Sequence, residues 1–221
     1  HRDDRVPAAP AVQFVDHTIW QLARLGDESD PHSLAAEQLS YWRETLDGIP
    51  DEIALPVDRA RPVEPSHRGA EVHRTLPLGV CRALDRLAAA TGTSRFMVVH
   101  AAVALSLAAS GAGDDIVVGT PIAGRGDAAA EDLIGMFVNT LALRTDLRGN
   151  PTLAQVLTRV RSADLDAYAH ADLPFEQLVA ALAPTRSLAR HPLFQTMVQY
   201  RDPIVAPEFG GLVATPLFPT T

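Results

Sequence analysis

Ile134-Gly-Met-Phe-Val-Asn-Thr-Leu-Ala-Leu-Arg144 is the stretch from which the rest of the chain reads outward. Phe137 to Arg144 alternates in the period-2 manner of a strand with one covered face. Upstream, Asp115-Ile-Val-Val-Gly119 is a short run rich in β-branched residues between turn signals, and it reads as a buried strand. Downstream, Asn150-Pro151 predicts a cap followed by proline at the first helical position, opening a helix through about Ala169. Asp172 and Pro174 repeat that signal for a shorter helix ending near Ala183-Pro184. Phe194 to Tyr200 is the last strand candidate.

Toward the N-terminus, Val12, Val15, Ile19 and Leu22 recur at helical spacing until Gly26, predicting a helix over 11–24. Leu34, Leu39, Trp42 and Leu46 mark a second amphipathic helix that ends at Gly48-Ile49-Pro50. The proline-rich, charged stretch from Pro50 to Pro65 reads as an irregular connection. Val72, Arg74 and Leu76 alternate with His73 and Thr75 and predict a strand just before Pro77. A helix with Leu84 and Leu87 inward then runs to Thr91-Gly92, with the glycine as its stop. Ser94 caps the next one, apolar almost all round from Phe96 to Ala109, as a buried element is. Helices and strands alternate without internal repeats, so the class is α/β.

The 221 residues allow one sizeable core or two small ones, and 47% hydrophobic with 21% charged residues is a globular composition. A net charge of −8 repels phosphate backbones and anionic lipid, so neither nucleic acid nor a membrane surface is an expected partner. Every basic residue is an arginine, a trace of coding bias. Cys81 is the single cysteine, which excludes an intrachain disulfide and a thiolate metal cluster and fits a reducing, cytoplasmic setting. No uninterrupted apolar segment is expected to span a membrane, and the charged start His1-Arg2-Asp3-Asp4-Arg5 reads as an internal cut in a longer protein.

Chemical patterns are sparse. Ser106 and Ser110 sit in alanine and leucine runs, not in G-x-S-x-G. The glycines of Gly119-Thr-Pro-Ile-Ala-Gly124-Arg-Gly126 match neither G-x-G-x-x-G nor a P-loop. The eight histidines are scattered without H-E-x-x-H or H-x-H, so no metal site is expected. None has an aspartate four residues on. Asp16-His17 and His170-Ala-Asp172 are the close acid–histidine pairs, and both read as capping or helix-surface contacts. From residues alone, there is no active site.

Four segments, in order and at matching separations, resemble the later motifs of condensation domains of non-ribosomal peptide synthetases. Phe14-Val-Asp-His-Thr-Ile-Trp20 is similar to aromatic-x-Asp-Tyr-Ala-x-Trp, with His17 and Thr18 in place of the usual tyrosine and alanine. Ile134 to Arg144 is a near-complete match, preceded by the family-like Gly119-Thr-Pro-Ile-Ala-Gly-Arg125. His170-Ala-Asp-Leu-Pro-Phe-Glu176 keeps the His, Asp, Pro, Phe and Glu of its motif. Arg186-Ser-Leu-Ala-Arg-His-Pro-Leu193 keeps both arginines but has Ser187 and His191 where Asp and Asn are common. Leu55-Pro-Val-Asp-Arg-Ala-Arg-Pro62 resembles the family's linker. The family's His-His-x-x-x-Asp-Gly motif belongs upstream of all of these and does not occur in the chain.

The resemblance implies a chloramphenicol-acetyltransferase-like lobe with a mixed sheet flanked by helices, here the C-terminal, acceptor-side lobe, incomplete at both ends. It implies amide formation between donor and acceptor thioesters carried on the 4′-phosphopantetheine of carrier proteins, with no cofactor held by the lobe itself. Partners would be the N-terminal lobe, the donor and acceptor carrier proteins and a neighbouring adenylation domain. No catalytic residue is expected in this chain, which alone would be inactive. Asp16, Trp20, Phe137, Asn139, Arg144, His170, Asp172, Arg186 and Arg190 are the residues the resemblance places at the tunnel or lobe interface.

Each has a plainer alternative. Trp20 lines the tunnel or anchors its helix in the core. Asn139 and Arg144 bond across the cleft floor or satisfy local carbonyls. His170, Asp172 and Pro174 are explained by helix capping. Arg186 and Arg190 meet a carrier phosphate or serve ion pairs. Two other readings share the fold: a recruitment module that has lost the histidine motif and binds an accessory enzyme, and an epimerisation domain, which Phe137-Val-Asn-Thr140 disfavours. Leu173-Pro-Phe-Glu-Gln177 and Arg190-His-Pro-Leu193 hint at an L-donor, L-acceptor type.

Overall fold

The computed structural model describes residues 12–126, 128–131, 133–182 and 187–201. Strand β1 (Asp115–Ile122) pairs antiparallel with β2 (Asn139–Asp146), Asp115 opposite Asp146 and Ile122 opposite Asn139. Ile116 to Thr120 are buried at five successive positions, which is why this strand carries a continuous apolar run in place of alternation. On the other edge of β1, Met197 forms a parallel bridge with Gly119, through Gly119 N–H to Thr196 O at 2.9 Å and Val198 N–H to Gly119 O at 2.8 Å. The order is therefore 197, β1, β2, and the pairing is mixed. A Cβ on residue 119 would run into the ring of Phe194, so only glycine lets this third segment approach.

Among the described residues six α-helices surround the strands: α1 (Phe14–Leu25), α2 (Leu34–Thr45), α3 (Leu78–Thr91), α4 (Arg95–Leu107), α5 (Leu153–Ala169) and α6 (Phe175–Leu182). α5 packs on β2, α4 on α5 and β1, α3 on α4, and α2 on α6 and α1. Ser94 caps α4, accepting from Met97 N–H at 3.1 Å, and Gly92 ends α3 in the left-handed region at φ 63°, both as the sequence predicts. α4 runs on into a π-helical turn, Ala108–Ala112.

Several expectations are corrected. Thr152, not Asn150-Pro151, caps α5: its hydroxyl accepts from Gln155 N–H and the Gln155 side chain reaches back to Thr152 N–H at 2.8 Å, a reciprocal pair that starts the helix two residues later. Residues 71–77 form no regular element and pair with no strand among the described residues, and Val72 and Leu76 are exposed. The 194–200 strand reduces to the single bridge at Met197. β2 begins at Asn139, two residues late, because Phe137 is diverted to an aromatic cluster described below. Arg95–Ala112 is, at 18 residues and mean hydropathy 1.4, the one helix among the described residues that by length and composition alone could cross a membrane, although Arg95, His100 and Ser106 interrupt its apolar run. It is held instead between α3, α5 and β1. The predicted end of the last helix at Ala183-Pro184 lies outside the described residues.

Candidate functional site

The first wall is built by α1. Its N-terminus is held by a reciprocal cap in which Asp16 Oδ2 accepts from Gln13 N–H at 2.8 Å. Phe14, His17 and Trp20, at intervals of three, form a slanting aromatic stripe along the helix. Phe137 inserts its ring edge-on against Phe14 (5.1 Å) and His17 (4.8 Å), while His17 lies 5.6 Å from Trp20. The guanidinium of Arg125 covers the ring of Phe137, 4.2 Å from its centroid, and donates to the carbonyls of Ala130, Glu131 and Leu133. Arg125 thus folds the segment before β2 around itself. Gly124 completes the turn at φ 64°, where a Cβ would collide with Phe137 O.

Asn139 organises the second wall. Its Nδ2 donates to Ala171 O (3.0 Å) and Leu173 O (2.9 Å), and its Oδ1 accepts from Thr140 N–H (2.8 Å) and Phe175 N–H (3.0 Å). All four of its hydrogen-bonding positions are used inside the protein, and one of them caps α6. Gln38, 1% exposed, reaches the same segment from α2: Nε2 donates to Asp172 Oδ2 (3.0 Å) and Oε1 accepts from Leu173 N–H (2.8 Å). Arg24 meets the same carboxylate at 3.3 Å. Asp172 therefore does not cap α6, as the sequence suggested; Asn139 does.

Between the walls lies a cleft of about 520 Å³, lined by His17, Gln21, Phe137, Asn139, Asp172 and Glu176 among others. A smaller apolar hollow of about 280 Å³ adjoins it, lined by Asp16, His17, Trp20 and Leu133. His17 belongs to both. Of the residues singled out from sequence, the structure gathers Asp16, Trp20, Phe137, Asn139 and Asp172 here. Trp20 is half-exposed with Arg24 over its ring at 5.4 Å.

The remaining candidates lie elsewhere. Arg144 makes a two-pronged ion pair with Asp115 (2.8 and 2.7 Å) and donates to Thr45 O and Asp47 O, joining both strands to the end of α2; the Asp115 hydrogen bonds raise its pKa, against the opposing effect of burial. His170 ends α5, stacks on Tyr41 at 3.8 Å and accepts at its carbonyl from Trp42 Nε1 at 2.9 Å. Arg190 pairs with Glu52 at 3.0 Å and Asp51 at 3.6 Å. Arg186 lies outside the described residues.

One constellation escaped the sequence reading. His100 Nδ1 meets Asp164 Oδ1 at 2.9 Å and its Nε2 meets Thr145 Oγ1 at 3.2 Å, with His100 and Asp164 at 0% exposure. The connectivity is that of an acid, base and hydroxyl relay, but the group is sealed in the core between α4, α5 and β2. Its signal was a polar residue inside an apolar helical stripe: Asp164 follows Val156 and Val160 at steps of four, and Gln38 stands between Leu34 and Trp42 in the same way.

The model of the condensation domain family matches residues 2–205, and the chain belongs to that family. It is 49% identical over 192 residues to a dimodular nonribosomal peptide synthase of Bacillus subtilis, covering 87% of this chain and 8% of that protein. Over 207 residues it is 44% identical to an isonitrile lipopeptide synthase of Mycobacterium tuberculosis, covering 93% and 8%. Among solved structures, the X-domain from teicoplanin biosynthesis superposes with a TM-score of 0.79 at 39% identity, over 88% of this chain and 43% of that one. The first condensation domain of the CDA synthetase gives 0.67 at 26% identity, over 95% and 44%. The chain thus spans less than half of each of these domain structures and under a tenth of these two synthases. The mixed pairing with flanking helices is the fold these neighbours share.

Proposed function

We propose that this chain is the acceptor-side, C-terminal lobe of a peptide-synthetase condensation domain, and that it forms one wall of a cleft completed by the lobe carrying His-His-x-x-x-Asp-Gly. The observation that carries this reading is an apolar surface beside the cleft. α1 turns Val15, Ile19 and Leu22 outward, and the adjoining segment presents Ile134, 97% exposed, with Met136 and Val138. Large exposed apolar side chains concentrated on two elements that touch each other support a face that another body covers. Phe14 and Phe137 lock α1 to that segment, so the two halves of the face are presented together.

In the completed cleft, two substrates tethered to the phosphopantetheine arms of carrier proteins meet. The acceptor amine attacks the donor thioester carbonyl, the C–N bond forms and the C–S bond breaks, and the proton lost by nitrogen leaves with the donor thiol. The step needs alignment, a group for that proton and stabilisation of the oxyanion. This lobe's share is alignment: Asn139, Gln38 and Arg125 spend their hydrogen bonds on fixing the walls. The setting would be cytoplasmic, beside an adenylation domain, in a secondary-metabolite pathway. The test compares amide formation on loaded carriers by the chain alone and by the chain joined to the missing lobe. Turnover only in the joined protein is expected; turnover by this chain alone would overturn the reading.

A second reading is a recruitment module. It is favoured by the 39% identity to the teicoplanin X-domain, which has also been solved in complex with OxyB. A degraded histidine motif in the preceding coding sequence would select it, and an intact one would exclude it.

A further inference from the structure

Among the described residues a second, smaller core cluster lies apart from the main one: Ala130, Leu133 and Phe137 are buried, with Val12 and Phe14 packed on them. The hollow of about 280 Å³ opens over this cluster, walled by Val12, Trp20, Ala129, Ala130 and Leu133, all apolar. Its volume is that of about nine liquid waters, room for a side chain the size of leucine or phenylalanine. Its two polar residues are already engaged. Asp16 Oδ2 accepts from Gln13 N–H at 2.8 Å, and the His17 ring packs on Phe137 and Trp20. Two observations set this space beside the cleft and not under a second lobe. His17 lines both spaces, so they meet at its imidazole. Asp16 and Trp20 also stand about 100° round α1 from Val15 and Ile19, the outward residues that a second lobe would cover.

We infer that this hollow is the side-chain subsite for the acceptor amino acid, and that it selects an apolar side chain of leucine or phenylalanine size. This rests on the proposed condensation function and adds substrate selection to it. With the acceptor amine in the cleft, its side chain leaves water against Trp20, Ala129 and Leu133, and that burial favours a large apolar acceptor over alanine. An acidic side chain would lose its hydration beside the Asp16 carboxylate, so the subsite rejects one. Trp20, 46% exposed in this chain, loses contact with solvent when the subsite fills.

The kinetic test uses the joined two-lobe domain, one fixed donor, and acceptor carriers loaded with alanine, leucine or phenylalanine. Ala129→Phe fills the hollow from an exposed position. It should lower kcat/KM for the leucyl and phenylalanyl carriers about tenfold and leave the alanyl carrier within about twofold, the scale on which apolar pockets discriminate. Donor preference should not move. An equal fall for all three acceptors makes the hollow a seat for the second lobe and overturns the subsite; unchanged leucyl and phenylalanyl kinetics overturn it too. A changed donor preference overturns the acceptor assignment. Binding is read separately, without any filled variant, from Trp20 fluorescence in the wild-type joined domain, with Trp20→Phe as background. An amide-linked leucyl-pantetheine analogue should move the Trp20 emission to shorter wavelength, and the alanyl analogue should move it less. The full shift with pantetheine alone assigns the hollow to the arm and overturns the side-chain assignment. Absence of amide formation by the wild-type joined domain with every acceptor would instead sink the underlying function.

Discussion

Asn139 shows how much one side chain carries here. It sits at the first position of β2 and bonds to Ala171, Leu173 and Phe175, so a strand end, a loop and a helix start share one amide. Asn139→Asp keeps the acceptor oxygen but sets a carboxylate against two carbonyls; a loss of about 3 kcal/mol in urea unfolding is expected from two broken bonds and the repulsion. Asn139→Ala should lose a similar amount. Tyr41 gives a pH prediction at the same scale. Burial, as the largest cause, raises its phenol pKa, so its contribution to stability is full below the ordinary tyrosine value of about 10 and disappears as pH rises through the higher folded value. Tyr41→Phe should flatten the alkaline fall in melting temperature. The sequence marked Asn139 as a candidate tunnel or interface residue but left open whether it served cleft or carbonyls, because its partners lie 32 to 36 positions downstream.

At the level of elements, the core is pinned by polar groups placed within apolar stripes. His100 on α4 and Asp164 on α5 meet 64 residues apart in sequence, with Thr145 of β2 on the other nitrogen. Removing one member leaves the other unpaired in the core, so Asp164→Ala should cost about 3–5 kcal/mol. Replacing both, His100→Met with Asp164→Leu, should recover most of that loss, since two apolar side chains leave no orphan. Chemical denaturation of the three variants measures both effects. Local patterns did predict α1 to α6 and both strands, because stripe spacing, β-branched runs and the stops at Gly26 and Gly92 are short-range. Residues 71–77 were misread as a strand since alternation describes a chain ready to pair, while pairing depends on a neighbour that the described residues do not supply.

For the whole molecule, the outward apolar side chains are the decisive feature. α1 pairs an aromatic inner face, Phe14 and His17, with the outward Val15, Ile19 and Leu22, which is more apolar surface than a helix covered on one side needs. The four motifs read from sequence thus fall into two groups. Those of α1, the 134–144 segment and the 170–176 segment converge on the cleft, whereas Arg190 ties down the linker through Asp51 and Glu52. Residue patterns alone did not show the proximity of the first three, for it arises from α1 meeting the Phe137 ring and from Asn139 gripping the 171–175 turn; only the family resemblance set residues of all three at one tunnel or interface. Replacing Ile19 and Met136 together by glutamate should leave the unfolding midpoint of this chain within about 0.5 kcal/mol of the original, as exposed substitutions do. The same pair of changes should abolish amide formation by the joined domain.

Backbone hydrogen exchange tests the two-lobe cleft most directly, comparing the chain alone with the same residues in the joined domain. Exchange across 14–25 and 133–138 should slow markedly in the joined domain, while the outward side of α5 around Leu165 stays unchanged. Equal exchange in those two segments with and without the second lobe would contradict the account.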